Sequence, residues 1–175
     1  LPHGKIIVTM LVLDALTIQL KKGADLDKAQ SEEAAKSLAS ADISAESKEV
    51  FLIALAEKGE TATEVAGFAN VYRNLARDPG VSEYAERAID IVGTGGDHAG
   101  SFNISTTVSF ILAAAGVKVL KHGSRAITSK SGSADFLETV GIDLEADINN
   151  IQRSLEKLNF CFFFAPGFHP AFKEI

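Results

Sequence analysis

Residues 88–106 read AIDIVGTGGDHAGSFNIST, and residues 121–141 read KHGSRAITSKSGSADFLETVG. These two runs decide the fold. Ala88–Val92 is short, apolar and partly β-branched, and a glycine turn follows at once. It reads as a buried strand that ends in a loop. Gly93, Gly95 and Gly96, with only the small Thr94 among them, keep Cβ atoms out of the way. Backbone N–H groups there can turn toward a bound anion. The hydroxyls and amide of Ser101–Thr106 suit a helix start, and ISTTVSFILAAA from Ile104 to Ala115 is helix-length and largely apolar. Strand, glycine loop and polar helix N-terminus make the arrangement by which α/β proteins hold phosphate. Free N–H groups and the helix dipole both favour negative charge at that point.

The glycine spacing fits neither G-x-G-x-x-G nor G-x-x-x-x-G-K-[ST], so the dinucleotide and Walker readings fail. By itself the loop is equally a packing turn. The second run shifts the balance. Gly116–Leu120 reads as another strand, and Lys121, His122, Gly123, Ser124 and Arg125 stand at its C-terminal end, where open α/β sheets take their ligands. Each residue also has a plain structural reading. Asp97 can be a turn residue, and Ser105 and Thr106 can be helix caps. Lys121 and Arg125 can be solvated charges, His122 a structural histidine, and Ser129–Ser133 a turn.

Taken in order, GTGGD, SFNIST and KHGSR followed by SKSGSADFLETVGI closely resemble the anthranilate phosphoribosyltransferases, which are related in fold to the pyrimidine nucleoside phosphorylases. FLIALAEKGETATEVAGF (51–68) resembles that family's helical-domain signature, and FFFAPGFHPAFK (162–173) its hinge segment. The resemblance runs over nearly the whole chain. It implies transfer of the phosphoribosyl group of phosphoribosyl pyrophosphate to anthranilate, in tryptophan biosynthesis, with magnesium. It also implies a homodimer formed through the helical domain. Related readings are a transferase or phosphorylase with another aromatic or nucleobase acceptor, or a non-catalytic relative that binds nucleic acid.

The resemblance assigns roles residue by residue. Gly93, Thr94, Gly95 and Gly96 cradle the pyrophosphate. Asp97 lies near metal and ribose, and Ser105 lends its hydroxyl to a magnesium ion. Asn103, Thr106 and Ser133 are on the donor side, and Lys121 supplies positive charge to the leaving group. Gly93, His122, Gly123 and Ser124 line the acceptor side, with His169 at the mouth of the aromatic site. The family has asparagine where this chain has Ser124. Its acceptor-binding arginine and its second metal-binding Asp-Glu pair lie beyond Ile175. The expectation is therefore the N-terminal half of such an enzyme, inactive alone.

The rest of the chain reads as an all-α domain over 1–78, followed by the start of an α/β domain with a mainly parallel sheet over 87–175. Residues 160–175 of the second domain are hinge-like. Ile6–Leu20 is a core helix, since Asp14, Thr17 and Gln19 interrupt it and a membrane span needs ~18 or more apolar residues. Helices are predicted after Asp25 or Asp27, after Ser44 and from Thr61 or Thr63 to Arg77. In the third, Ser47 and Lys48 are expected outside, and Val50, Phe51, Ile53, Ala54 and Leu55 inside. Asp78-Pro79-Gly80 opens a connector. Later, Ser133–Val140 is a short helix capped by Ser133, Asp147–Leu158 an amphipathic helix and Phe160–Phe164 a strand. Cys161 is the single cysteine, so no disulfide framework or zinc site is possible from cysteine. It reads as a buried core residue in a reducing, cytoplasmic setting. A net charge of −6 argues against a nucleic-acid surface.

Overall fold

The computed structural model describes residues 2–93, 102–126 and 131–175, and of residues 2–11 only the backbone. The described chain forms two compact units. One comprises residues up to Ala76 together with His169–Ile175, the other Arg77–Phe168.

The first unit is built from α1 (Pro2–Lys21), α2 (Lys28–Leu38), α3 (Ala45–Lys58) and α4 (Ala62–Leu75). Local sequence sets their starts. Asp27 accepts the Gln30 N–H at 2.8 Å, Ser44 caps α3, and Thr61 caps α4 with Glu64 answering as the reciprocal partner. The core gathers Leu13, Leu16, Leu20, Leu26, Leu38 and Phe51. Helices α2 and α4 meet closely at Gly67, where a Cβ would stand 2.6 Å from Ser31 Cβ. Phe51, Ala54 and Leu55 point inward as expected, but Val50 and Ile53 are exposed and Lys48 is buried. The Lys48 ammonium donates to the Glu174 carbonyl oxygen, so its stem can lie inside while its charge finds a partner. The last residues, expected with the sheet domain, pack on these helices instead. Phe172 stacks on Tyr72 with ring centroids 4.6 Å apart.

The second unit is a three-stranded parallel sheet in the order β1 (Ala88–Ile89), β2 (Lys118–Gly123), β3 (Phe160–Phe164). All-helical first part and parallel sheet second part are the fold class read from the sequence. Helix α5 (Ile104–Ala114) connects β1 to β2, and α6 (Ser133–Thr139) and α7 (Ile148–Leu158) connect β2 to β3. A four-residue turn of helix, α8 (Ala165–Phe168), follows β3. Alternation along β3 separates two cores. Cys161 and Phe163 pack with Ile151 and Leu155, whereas Phe160 and Phe162 pack with Val119, Ala113 and Leu137.

Strand limits differ from those expected. β1 stops at Ile89 rather than Val92, because side chains replace the ladder there. Asp90 Oδ1 accepts the His122 N–H at 3.2 Å, and the Ile91 carbonyl accepts Lys121 Nζ at 2.8 Å. β2 runs to Gly123, with His122 opposite Phe163 and Gly123 opposite Phe164. Lys121, His122 and Gly123 therefore lie within the strand rather than after it. Helix α6 is capped at Gly132, and Ser133 is its first helical residue.

Candidate functional site

The site forms around the C-terminal end of β2. Lys121 shares a sheet face with Val119 and lies opposite Phe162. It is only 2% exposed. This excludes the solvated-charge reading. Burial pushes its ammonium below the usual lysine pKa, and Asp90 opposes that shift. A lysine in this position carries a charge that the surroundings only partly compensate, which favours an anionic ligand.

Asn103 precedes α5 and sends its Nδ2 to the Gly132 carbonyl oxygen at 3.2 Å. Ser105 and Thr106 occupy the first turn of α5. Ser105 is half-buried and Thr106 is buried. Neither acts as a cap: the cap position belongs to Asn103, without a side-chain capping bond. Ser133 opens α6, and its Oγ lies so close to Gly123 that a Cβ there would meet it at 2.4 Å. Ser124 donates its hydroxyl to the Arg125 carbonyl and accepts the Ala134 N–H, both at 3.2 Å.

The structure thus brings together Asn103, Gly123, Ser124 and Ser133 through Gly132 and the start of α6. Gly93 follows β1. Thr94, Gly95, Gly96 and Asp97 lie outside the described residues, as does Lys130. His169 groups with the helical unit, its ring edge-on to Phe172 at 6.0 Å. Two residues escaped the sequence reading. Asp90 lies in a run that looked like plain strand. Asp135 stands three residues after the Gly132 cap, and that cap-plus-three spacing is a signal that could have found it.

Among the described residues no cluster of three His, Cys, Asp or Glu side chains could hold a metal ion. The Ser105 hydroxyl is nevertheless the hard oxygen type that magnesium takes, and magnesium uses one or two protein oxygens beside phosphates and waters. Among the described residues no helix is long and apolar enough to cross a membrane.

Four helices followed by a parallel sheet, with a buried lysine near the C-terminal end of β2, define the class. Residues 85–175 match the glycosyl transferase family a/b domain, and residues 15–76 match the helical bundle domain of the same name. The chain belongs to this glycosyl transferase family. Anthranilate phosphoribosyltransferase of Exiguobacterium sibiricum is 47% identical over 144 residues, which is 82% of this chain and 42% of that protein. The crystal structure of the enzyme of that name from Thermus thermophilus superposes with a TM-score of 0.79 at 38% identity, over 91% of this chain and 48% of that one. The Saccharomyces cerevisiae enzyme, solved with PRPP and Mg, gives 0.75 at 25% identity, over 93% and 48%. The chain spans about half the length of the relatives it matches.

Proposed function

We propose that this chain carries the donor-binding half of an anthranilate phosphoribosyltransferase. The reaction breaks the bond between ribose C1 and pyrophosphate, whose oxygen keeps the electron pair. The anthranilate amine forms the new bond to C1 and loses a proton. Such chemistry needs positioning and electrostatics more than acid–base groups. The observation that carries the reading is Lys121, a buried ammonium at a strand end, in a chain similar to enzymes of that name.

In this reading Lys121 steadies the departing pyrophosphate. Asn103, Thr106, Ser133, the glycines at 93, 95 and 96, and Thr94 hold the donor's phosphates. The N–H groups at the start of α5 add a favourable dipole. Ser105 and Asp97 would hold magnesium, which neutralises phosphate charge when bound. His122, Gly123, Ser124 and Gly93 take the acceptor side, and the family resemblance gives His169 an acceptor role as well. The protein works in the cytoplasm as a homodimer through its helices. Ser124, where the family has asparagine, favours as a second reading another aromatic or nucleobase acceptor, because serine offers no carboxamide.

Calorimetric titration of the folded chain with phosphoribosyl pyrophosphate tests this. Binding is expected to depend on magnesium and to be lost in an Asp97→Ala, Ser105→Ala double variant. Equal binding by wild type and double variant would refute the reading.

A further inference from the structure

We propose that Asp135 is a positioning residue for the phosphoribosyl donor: one carboxylate oxygen binds two backbone N–H groups and thereby sets Asn103 and Ser133. The inference rests on the donor-binding role proposed above. Asp135 Oδ2 accepts the Ala126 N–H at 2.9 Å and the Gly132 N–H at 2.8 Å. Gly132 in turn accepts Asn103 Nδ2 on its carbonyl oxygen. A Cβ on Gly132 would stand 2.4 Å from Ala126 N and 2.6 Å from Arg125 C. Backbone therefore touches backbone there, and any drift of Gly132 moves the Asn103 amide directly. Asp135 also sits in the first turn of α6, which Ser133 opens against Gly123.

The other oxygen, Oδ1, takes Arg125 Nη1 at 3.2 Å, and the Arg125 fork closes on Glu138 at 2.7 and 3.0 Å. The side chains of that triad are 32–55% exposed, and solvent-exposed ion pairs contribute little. The two amide bonds are the stronger part, because an ionised acceptor roughly doubles a hydrogen bond. Asp135 holds residues of the donor side in place through Gly132.

The test titrates the folded 175-residue chain with phosphoribosyl pyrophosphate and magnesium. Wild type is expected to bind, Asp135→Asn several-fold weaker, and Asp135→Ala about tenfold weaker, the loss expected for charge-assisted hydrogen bonds. Arg125→Ala, which leaves Oδ2 on both N–H groups, should cost less than Asp135→Ala. In amide NMR spectra the Ala126 and Gly132 signals should move upfield in Asp135→Ala, a change that a general loss of stability would not produce. If Asp135→Ala does not fold, Asp135→Asn decides alone. Donor affinity equal to wild type in the folded variant overturns the inference while leaving the donor-binding reading intact. A wild-type chain that does not bind the donor overturns both.

Discussion

Glu64 in the helical unit and Lys121 in the sheet unit are both buried ionic side chains, and the two are treated differently. In the helical unit Glu64 is fully buried, and its carboxylate is saturated from within the chain. Its Oε1 accepts the Leu26 N–H at 2.8 Å, while Oε2 accepts the Thr61 N–H at 2.7 Å and Lys58 Nζ at 2.9 Å. Lys58 also reaches Asp25 at 2.9 Å. Burial alone would raise the Glu64 carboxyl, but the two N–H groups and the ammonium together bring it down to about 2. In the sheet unit Lys121 is as deeply buried, and its ammonium donates to one backbone carbonyl. Its pKa moves toward the neutral form, because burial outweighs the neighbouring Asp90. A charge fully answered by its own chain is architecture. A charge buried with one carbonyl partner can take a further one.

The largest expected effect breaks the first half of that contrast. Glu64→Ala leaves two N–H groups without their acceptor and takes from Lys58 its buried carboxylate partner, and should destabilise the helical unit by about 3–5 kcal/mol in urea unfolding. A loss below about 1 kcal/mol would mean that the network is ornamental.

Acid titration probes the same carboxylate without mutation. Its folded pKa lies below the usual value, so the stability it gives is present above the unfolded pKa and lost as pH falls toward 2. The fall from about 4.5 to about 2 corresponds to about 3 kcal/mol, lost between roughly pH 5 and pH 2. Helical signal followed against pH in wild type and Glu64→Gln should show this drop in wild type only.

Lys121→Met tests the other half. Replacing an incompletely paired buried ion by an apolar side chain of similar length should change stability by less than about 1 kcal/mol, or raise it. Donor affinity should fall about tenfold. Loss of stability with unchanged affinity would make Lys121 structural, like Glu64.

The smallest effect separates the partners within the helical network. Asp25 is 64% exposed at its side chain, so Asp25→Ala should cost less than about 1 kcal/mol, with that cost shrinking in high salt. A cost equal to that of Glu64→Ala would show that burial does not rank the two.

Much of this was readable from residues alone. The caps at Asp27, Ser44 and Thr61, the helix α5 and the strand β3 follow from local chemistry, and the parallel sheet follows from alternating strands and helices. The contrast itself was not readable. Glu64 looked like a first-turn helix residue, and only the tertiary approach of Leu26 buries it. Lys121 looked like a strand-end charge, because the register with β3 that places it opposite Phe162 is not written locally. Lys48 was misplaced for a related reason, since its partner Glu174 lies far along the chain. Asp135 failed differently: its spacing from Gly132 was legible, but its second N–H, from Ala126, depends on how the chain turns after β2.

The stacking of Phe172 on Tyr72 has a consequence for the order of events on the ribosome. The two rings are about 100 residues apart in sequence, and synthesis at roughly 5–20 residues per second separates their emergence by on the order of ten seconds. For that interval Tyr72 waits without its lid while α1–α4, whose contacts are local, have ample time to assemble. The helical unit thus begins to form early, while the face at Tyr72 is sealed only by residues made after β3.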